Sequence, residues 1–294
     1  EVQGSAASNA TVTVNNESTT RQGAYYRKEL TVNNSPAAVW QSITNVAVLN
    51  GAGTNGTDIV TTMTGNALVP KTPEAFTYDA DGNLTSDGRS TYTWDAENRL
   101  LQVESLTNAP NGAKVKVAWT YDARSRRIQQ QSYTEQSGTL VLTSNLKFLA
   151  DGWRHIVELN ATNNTPLKTY AWGLDLSGSL DGAGGVGGLL FFKDTTTHFT
   201  AYDGNGNVRA LFSANDGSLT AQYDYDAFGN ILRATGSAAL ANPFRFSTKR
   251  TDDLTSLVLY EYRAYVPWVG RWANRDPIEE RGGINVFTFV ANNT

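Results

Sequence analysis

A short unit recurs along this chain: an aromatic pair, then Asp, then a turn of Gly and Asn type, then an apolar residue that often has Arg nearby. Asn and Gly accept the positive φ of tight turns, and an Asp side chain can accept backbone N–H bonds there. Each unit therefore predicts two strands that meet at a turn. The copies read FTYDADGNLTSDG, YTWDAENRLLQVES, WTYDARSRRIQQQ, FTAYDGNGNVRALF and YDYDAFGNILRATG, starting at Phe76, Tyr92, Trp119, Phe199 and Tyr223.

The turn aspartate and the aromatic residue before it define each copy. We expect the aromatic pairs to pack against cross-strand neighbours on both faces of the pleat. Hairpins stacked side by side would form a continuous ribbon of sheet, which is a quasi-one-dimensional array. The residues are Tyr78 and Asp79, Trp94 and Asp95, Tyr121 and Asp122, Tyr202 and Asp203, and Tyr225 and Asp226.

The rest of the chain also favours strands. Segments such as ATVTVNN, AKVKVAWTYDA and GTLVLTSNLKFLA alternate polar with β-branched or aromatic residues. The segment SPAAVWQSITNVAVLN has some helical pattern, but its Val, Ile and Thr content favours a strand. The sequence predicts an all-β protein.

Composition argues against several classes of partner. The net charge of −4 and the lack of a basic block argue against nucleic acid and anionic membranes. The sequence has no run of 18 apolar residues that would predict a membrane span. It has no Cys, which excludes disulfides and cysteine metal sites. We expect no cofactor and no metal, and EVQGSAASNA does not have the pattern of a signal peptide.

The C-terminal segment from 242 to 293 carries an ordered series of motifs. These motifs are Phe-Arg-Phe-Ser at 244–247, Tyr-Arg-Ala-Tyr-Val-Pro at 262–267, Gly-Arg-Trp at 270–272 and Arg-Asp-Pro-Ile at 275–278. Together with the repeats, they resemble the Rhs family of tyrosine-aspartate (YD) repeat proteins, including toxin-complex C components and teneurins, over residues 76 to 293. The closing Gly282-Gly283 and Asn292-Asn293 fit the same pattern. The core-motif residues are Phe244, Arg245, Tyr262, Arg263, Tyr265, Pro267, Gly270, Arg271, Trp272 and Pro277.

The resemblance implies a hollow shell. It predicts a YD-repeat sheet at 76–235 and an Rhs core domain at 236–294 that closes part of a curved sheet, shell or barrel. The N-terminal β segment at 1–75, with room for more degenerate repeats, is predicted from strand patterning alone. The implied partners are the protein's own C-terminal cargo or effector and upstream repeats of the same chain. The resemblance also implies a secreted or cell-surface bacterial protein.

Self-cleaving relatives imply a catalytic role for Asp276, with Arg275 as its electrostatic partner. This chain departs from the pattern: Val266 stands where Asp or Asn is usual, Glu279 stands where Gly is expected, and no acidic residue follows Glu280. The chain also stops just short of where the cleavage site would lie. We expect no autoproteolysis and no enzymatic activity. A structural Asp276 would shape a turn and pair with Arg271, Arg275 or Arg281.

Other motifs have simpler interpretations. DADGN and DGNGN resemble the start of a calcium loop, but the sixth and twelfth positions lack the required Gly and Glu, so hairpin turns are favoured. GAGGVG is followed by the strand-like GLLFFKD, which argues against dinucleotide binding. His155 and His198 have no clustered partners in the sequence.

Three functions remain open at this point. The first is a structural shell segment of a bacterial polymorphic toxin. The second is a surface adhesion or carbohydrate-binding module, although Trp268 and Trp272 fit a core better than sugar platforms. The third is a self-cleaving aspartyl peptidase acting through Asp276.

Overall fold

The computed structural model describes residues 1–289, which form two compact units. The first contains residues 1–75 and 106–113, and the second contains residues 76–105 and the chain from Lys114 onward. The prediction of an all-β chain is confirmed. Among the described residues, no helix is long and apolar enough to cross a bilayer. The helical segments are short 3₁₀ turns at Thr54–Gly56, Phe246–Thr248 and Glu279–Gly282.

The first unit contains two small antiparallel sheets, with strand orders β1-β5-β4 and β3-β2-β6-β7. Its longest hairpin pairs β6 with β7, and β6 is the segment that the sequence predicted as strand. That prediction is confirmed, because β-branched residues favour the extended backbone. The strands are β1 Val2–Ser5, β2 Thr11–Val14, β3 Glu17–Ser18, β4 Thr20–Gln22, β5 Tyr25–Lys28, β6 Val39–Leu49 and β7 Ile59–Val69.

The second unit contains a 14-stranded sheet in which every strand lies beside its neighbours in the chain. All its pairings are antiparallel, as expected for hairpins laid side by side. The strands are β8 Thr77–Tyr78, β9 Leu84–Ser86, β10 Ser90–Trp94, β11 Leu100–Ser105, β12 Val115–Tyr121, β13 Arg127–Gln136, β14 Thr139–Asp151, β15 Arg154–Asn160, β16 Pro166–Trp172, β17 Leu189–Lys193, β18 Thr197–Tyr202, β19 Val208–Ser213, β20 Leu219–Tyr225 and β21 Ile231–Thr235.

The segment from 242 to 289, here called the core block, packs against this sheet. It contains a small four-stranded sheet, β22 Arg250–Thr251, β23 Val258–Leu259, β24 Ala264–Val266 and β25 Arg271–Trp272. One hydrophobic cluster joins its Leu257, Leu259 and Val266 to Tyr92 and Trp119 of the sheet. Burial of apolar area between the two parts is therefore the main force that holds the block in place.

The expectation that aromatic pairs serve both faces of the sheet is wrong for the copies that start at Tyr92, Trp119 and Tyr223. Residues two positions apart on a strand point to the same face. Tyr92, Trp119 and Tyr223 are accordingly buried, with their second aromatic residue packed beside them. Phe199 differs because three positions separate it from Tyr202, and its side chain is 49% exposed.

Candidate functional site

The five aspartates of the repeats close five turns of one kind. In each, the Asp N–H donates to the carbonyl four residues later, and the N–H three residues later donates to the Asp carbonyl. This is a three-residue hairpin loop whose last residue adopts the left-handed conformation. That residue has a positive φ in every copy: Gly82, Asn98, Ser125, Gly206 and Gly229.

The Asp carboxylates stabilise these turns through hydrogen bonds to residues of the same turn. Asp122 Oδ1 accepts the N–H groups of Arg124 and Arg126 at 2.9 and 3.0 Å, while Oδ2 lies 2.7 Å from the Arg126 guanidinium. Burial alone would raise the pKa of the Asp122 carboxyl, but the Arg126 bonds outweigh it and lower that pKa. Asp95 behaves in the same way with Arg99. Asp79, Asp203 and Asp226 use Asn in place of Arg.

The aromatic residue before each aspartate ties one hairpin to the previous one. Trp94 Nε1 donates to the Leu84 carbonyl at 2.7 Å, and Tyr121 Oη donates to the Leu100 carbonyl at 2.8 Å. Tyr225 Oη donates to the Val208 carbonyl at 2.7 Å, and Tyr202 Oη to the Leu189 carbonyl. In the last four YD copies, therefore, the aromatic hydroxyl or indole acts as a link between strands.

The structure contains a further copy of this unit that the sequence motif does not match. Trp172 Nε1 donates to the His155 carbonyl at 2.7 Å, and the turn that follows begins at Asp175, whose N–H donates to the Ser179 carbonyl. Gly173 and Leu174 separate the aromatic residue from the aspartate, so the aromatic-Asp step is interrupted. The alternation of Tyr170 and Trp172 was the remaining signal.

The GAGGVG segment is a loop organised by Asp175. The Asp175 carboxylate accepts the Ser177 hydroxyl and the N–H groups of Ala183 and Gly185, and these bonds, with the Ser177 hydroxyl foremost, lower its pKa to about 2. The predicted strand follows as β17. Lys249 Nζ of the core block donates to the Gly184 carbonyl at 2.5 Å, so the loop anchors the block.

The core block docks on the residue that follows a repeat turn. Leu84, five positions after Asp79, donates its N–H to the Ala273 carbonyl at 2.8 Å. Val208, five positions after Asp203, donates its N–H to the Arg245 carbonyl at 3.0 Å. Both contacts use the main chain, so the repeated turn presents a repeated docking point to a core-block carbonyl.

Phe244 and Arg245 of the core motif are buried against the sheet. The Phe244 ring meets the rings of Tyr170 and Trp172 edge-on, with centroids 5.0 and 5.2 Å apart. The Arg245 guanidinium pairs with Asp253 and lies 5.8 Å from the Tyr223 ring centre. Both residues therefore anchor the start of the block.

A buried ion pair fastens the block to strand β15. Arg250 Nη1 lies 2.5 Å from Glu158 Oε1, and Tyr170 Oη donates to the same oxygen at 2.6 Å. Burial would raise the pKa of the Glu158 carboxyl, but the charges of Arg250 and Lys168 and the Tyr170 bond lower it to about 2. Glu158 is 1% exposed, so it is a charged contact enclosed by protein.

Most of the remaining core-motif residues pack within the protein. Tyr265 and Pro267 are buried, and Tyr265 Oη donates to the Phe228 carbonyl at 2.8 Å. Gly270 has a φ of +67° and lies against the Phe228 ring. Trp272 is buried in an aromatic cluster and Trp268 is packed against the core, so neither presents an open platform for a sugar. Tyr262, Arg271 and Pro277 are exposed.

Asp276 is paired, but not with any of the expected partners. Its Oδ2 lies 2.8 Å from Arg263 Nη1, and its Oδ1 accepts the Ile278 N–H at 3.0 Å. The expectation of a pair with Arg271, Arg275 or Arg281 is wrong. Arg275 instead lies 3.8 Å from Glu280, and its stem crosses Gly82, where a Cβ would approach the Arg275 Cδ to 2.7 Å.

Two of the departures from the pattern, Val266 and Glu279, differ in how well they suit their surroundings. Val266 is 1% exposed and belongs to the hydrophobic cluster between block and sheet, where a carboxylate would be costly. Glu279 has a φ of +54°, the left-handed region that suits the expected Gly. Asn292 and Asn293 lie outside the described residues.

A polar cleft of about 390 Å³ lies beside Asp276. Sequence reasoning looked for a second acid only after Asp276, whereas Glu261, from the preceding part of the block, lines the same cleft with Glu279. Asn274 also lines it, and its Oδ1 is buried without a hydrogen-bond partner within the described structure. No sequence signal marked Asn274.

The two histidines do not form a metal centre. The His155 ring stacks on Phe148, with centroids 4.6 Å apart, while His198 bonds to Thr196 and Thr220. Burial lowers the pKa of His155 to about 3, so its imidazole is neutral. Within residues 1–289, no three His, Asp or Glu side chains are grouped as metal ligands would be.

The chain was compared with protein-family models and with known proteins. No protein-family model matches the chain. The tRNA3(Ser)-specific nuclease WapA of Bacillus spizizenii is 31% identical over 213 residues, which cover 72% of this chain and 8% of that protein. Toxin subunit YenC1 of Yersinia entomophaga is 26% identical over 231 residues, covering 75% of this chain and 23% of that subunit.

Among solved structures, TcdB2-TccC3 has a similar fold, with a TM-score of 0.57 and 16% identity over 85% of this chain and 13% of that one. The chain thus spans less than a quarter of the length of each of these proteins. The toxin relatives, the large antiparallel sheet and the shared fold together support placing this chain in the Rhs/YD-repeat family, with no specific member singled out.

Proposed function

We propose that this chain is a wall segment of a secreted toxin shell, with the core block closing the wall around a C-terminal cargo. The observation that carries the proposal is the packing of the core block onto one face of a 14-stranded sheet through shared hydrophobic clusters. The relatives' names support a toxin setting, since they include a tRNA nuclease and a toxin subunit.

We propose further that Asp276 is structural in this chain. Both of its carboxylate oxygens are engaged, one by Arg263 and the other by the Ile278 N–H. A general acid or base must reach its substrate directly, and here the Arg263 guanidinium and a main-chain N–H already occupy both carboxylate oxygens. The pair instead fixes the path of the chain after Trp272.

The test is the intact mass of the protein expressed from its whole gene, beside an Asp276→Asn version. We expect wild type and variant to give the same unbroken chain. Two fragments from wild type with an intact variant would make Asp276 catalytic. Limited proteolysis of the same sample tests the shell itself, because a closed shell should protect the residues that follow the core block. Rapid digestion of those residues would contradict encapsulation.

A further inference from the structure

The cleft beside Asp276 continues the track along which the core block docks. Leu84 and Val208 each stand five residues after a turn aspartate, and each donates its N–H to a core-block carbonyl. Leu100 and Arg127 hold the same position in the turns of Asp95 and Asp122. Both of these residues line the cleft.

The strand register shows that the four positions are equivalent. Leu84 lies opposite Tyr78 and Val208 opposite Tyr202, with a bulge beside each pair. Leu100 lies opposite Trp94 in the same way, beside the same bulge. The geometry that directs the Leu84 N–H out of the sheet ladder toward Ala273 is therefore repeated at Leu100, where the cleft is open.

The same repetition holds at Arg127. It lies opposite Tyr121 beside a bulge, so its N–H is expected to point as that of Val208 does. The Arg127 side chain donates to the Tyr260 carbonyl at 2.6 Å, and within residues 1–289 it has no carboxylate within ion-pair distance. The two adjacent turns thus offer two main-chain docking points in a row.

The core block supplies an acceptor to the cleft. Asn274 is 2% exposed, and its Oδ1 is buried with no partner in the described part of the chain. A buried polar atom without a hydrogen bond is costly, so this oxygen calls for a donor from a ligand. A peptide N–H supplies one, and peptide carbonyls would accept the N–H groups of Leu100 and Arg127.

The charge of the cleft selects the side chains of the ligand. Five carboxylates line it, against three guanidinium groups, and two of the five, Glu261 and Asp276, are already paired with Lys249 and Arg263. Among the described residues, the carboxylates of Asp81 and Glu279 have no ion-pair or hydrogen-bond partner, and both residues are exposed. These two acids would attract Lys or Arg side chains.

We propose that this cleft binds an extended, basic polypeptide segment through its main chain, in the manner in which Leu84 and Val208 bind the core block. The inference does not depend on the shell function, since an adhesion protein could use the same cleft. It assigns a role to Asn274, Leu100 and Arg127 that the repeat pattern alone does not.

Hydrogen exchange on the 294-residue chain tests the main-chain contact. The probe is a capped peptide of alternating Gly and Lys, Ac-GKGKGK-NH₂, compared with Ac-GEGEGE-NH₂. We expect the Lys peptide to slow exchange of the Leu100 and Arg127 amides. The Leu84 and Val208 amides, already bonded to the core block, should not change and serve as an internal control.

Two variants test the walls of the cleft. The double variant Asp81→Asn/Glu279→Gln removes exposed charges and should fold, yet weaken Lys-peptide binding by about three- to tenfold. Glu29→Gln, an exposed acid in the other unit, is the matched control and should bind as wild type does. Asn274→Ala should also weaken binding.

Three outcomes would overturn the proposal. One is no change at Leu100 and Arg127 with either peptide, and another is equal binding of the Lys and Glu peptides. The third is protection by an oligosaccharide such as cellohexaose with none by a peptide, which would assign the cleft to a glycan. None of these three outcomes would change the result expected from the intact-mass and proteolysis tests of the shell.

Discussion

The repeat sheet and the core block are stabilised in different ways. In the sheet, the five YD hairpins use the same turn, and the last four of them use the same aromatic link to the previous hairpin. In the block, each contact is made once: Arg250 with Glu158, Phe244 with Tyr170, Tyr265 with the Phe228 carbonyl. Repetition spreads the loss of one contact over many neighbours, whereas a unique contact has no substitute.

The largest expected effect comes from the buried ion pair. Glu158→Gln leaves Arg250 charged and enclosed without its carboxylate, and should lower the free energy of unfolding by about 3–5 kcal/mol. Urea unfolding followed by Trp fluorescence measures it. Glu158→Gln/Arg250→Gln should recover part of the loss. If Glu158→Gln lowered the free energy of unfolding by less than Asp122→Ala does, the proposed contrast between block and sheet would be wrong.

His155 should make the contact between sheet and block sensitive to mild acid. Its pKa is lowered to about 3 by burial and by the charge of Arg250, so the unfolded chain binds a proton near pH 6.5 that the folded chain does not. Stability from this residue is therefore present above that pH and is lost as pH falls toward 3.

His155→Phe tests this prediction, because it keeps a ring stacked on Phe148 without a titrating group. Unfolding free energies should fall less for the variant than for wild type between about pH 7 and pH 5, a range in which ordinary carboxyl groups do not titrate. Parallel curves for the two proteins would count against a neutral, buried imidazole.

Removal of one turn carboxylate should cost less than removal of the ion pair. Asp122→Ala deletes the bonds to Arg124 and Arg126, and we expect a loss of about 1–2 kcal/mol. Asp95→Ala should give a similar value by the same urea measurement, because its turn has the same geometry. Very different values for the two would show that the repeats are not equivalent.

The smallest expected effect is a gain. Glu279 has a φ of +54°, and Glu279→Gly relieves a left-handed conformation that a side chain disfavours. Thermal unfolding should show an increase of about 0.5–1 kcal/mol in stability at the core block. Asn98→Gly, at a left-handed position in the sheet, should bring no gain, since Asn tolerates this region better than Glu and its Oδ1 accepts a bond from Asn83 Nδ2 at 2.7 Å.

Much of the fold was predictable because its contacts are local. A hairpin turn joins residues four positions apart, so its Asp, its left-handed residue and its strand alternation are all adjacent in the sequence. The all-β class, the strand at Val39–Leu49 and the strand after the Gly loop followed from such patterns. The copy at Trp172 was missed because two inserted residues broke the pattern, although its hydrogen bond is the same.

The candidate site was only partly predictable. The sequence singled out Asp276, Arg263 and Tyr265 through an ordered series of motifs, and they do lie together in the core block. It could not identify Arg263 as the partner of Asp276, nor bring Asn274 and Glu261 to one cleft with Leu100. Leu100 is far from the block in the chain, and strands β24 and β25 lie between Arg263 and Asp276, so no short-range pattern joins these residues.

The amino-acid sequence by itself determined the repeating hairpin, because turn chemistry and strand alternation act between near neighbours. Only the tertiary structure decided which face of the sheet the aromatic pairs serve, where the core block docks and which turns remain open to a ligand. These depend on how distant segments share buried area and charge, and such contacts form only when the whole chain packs.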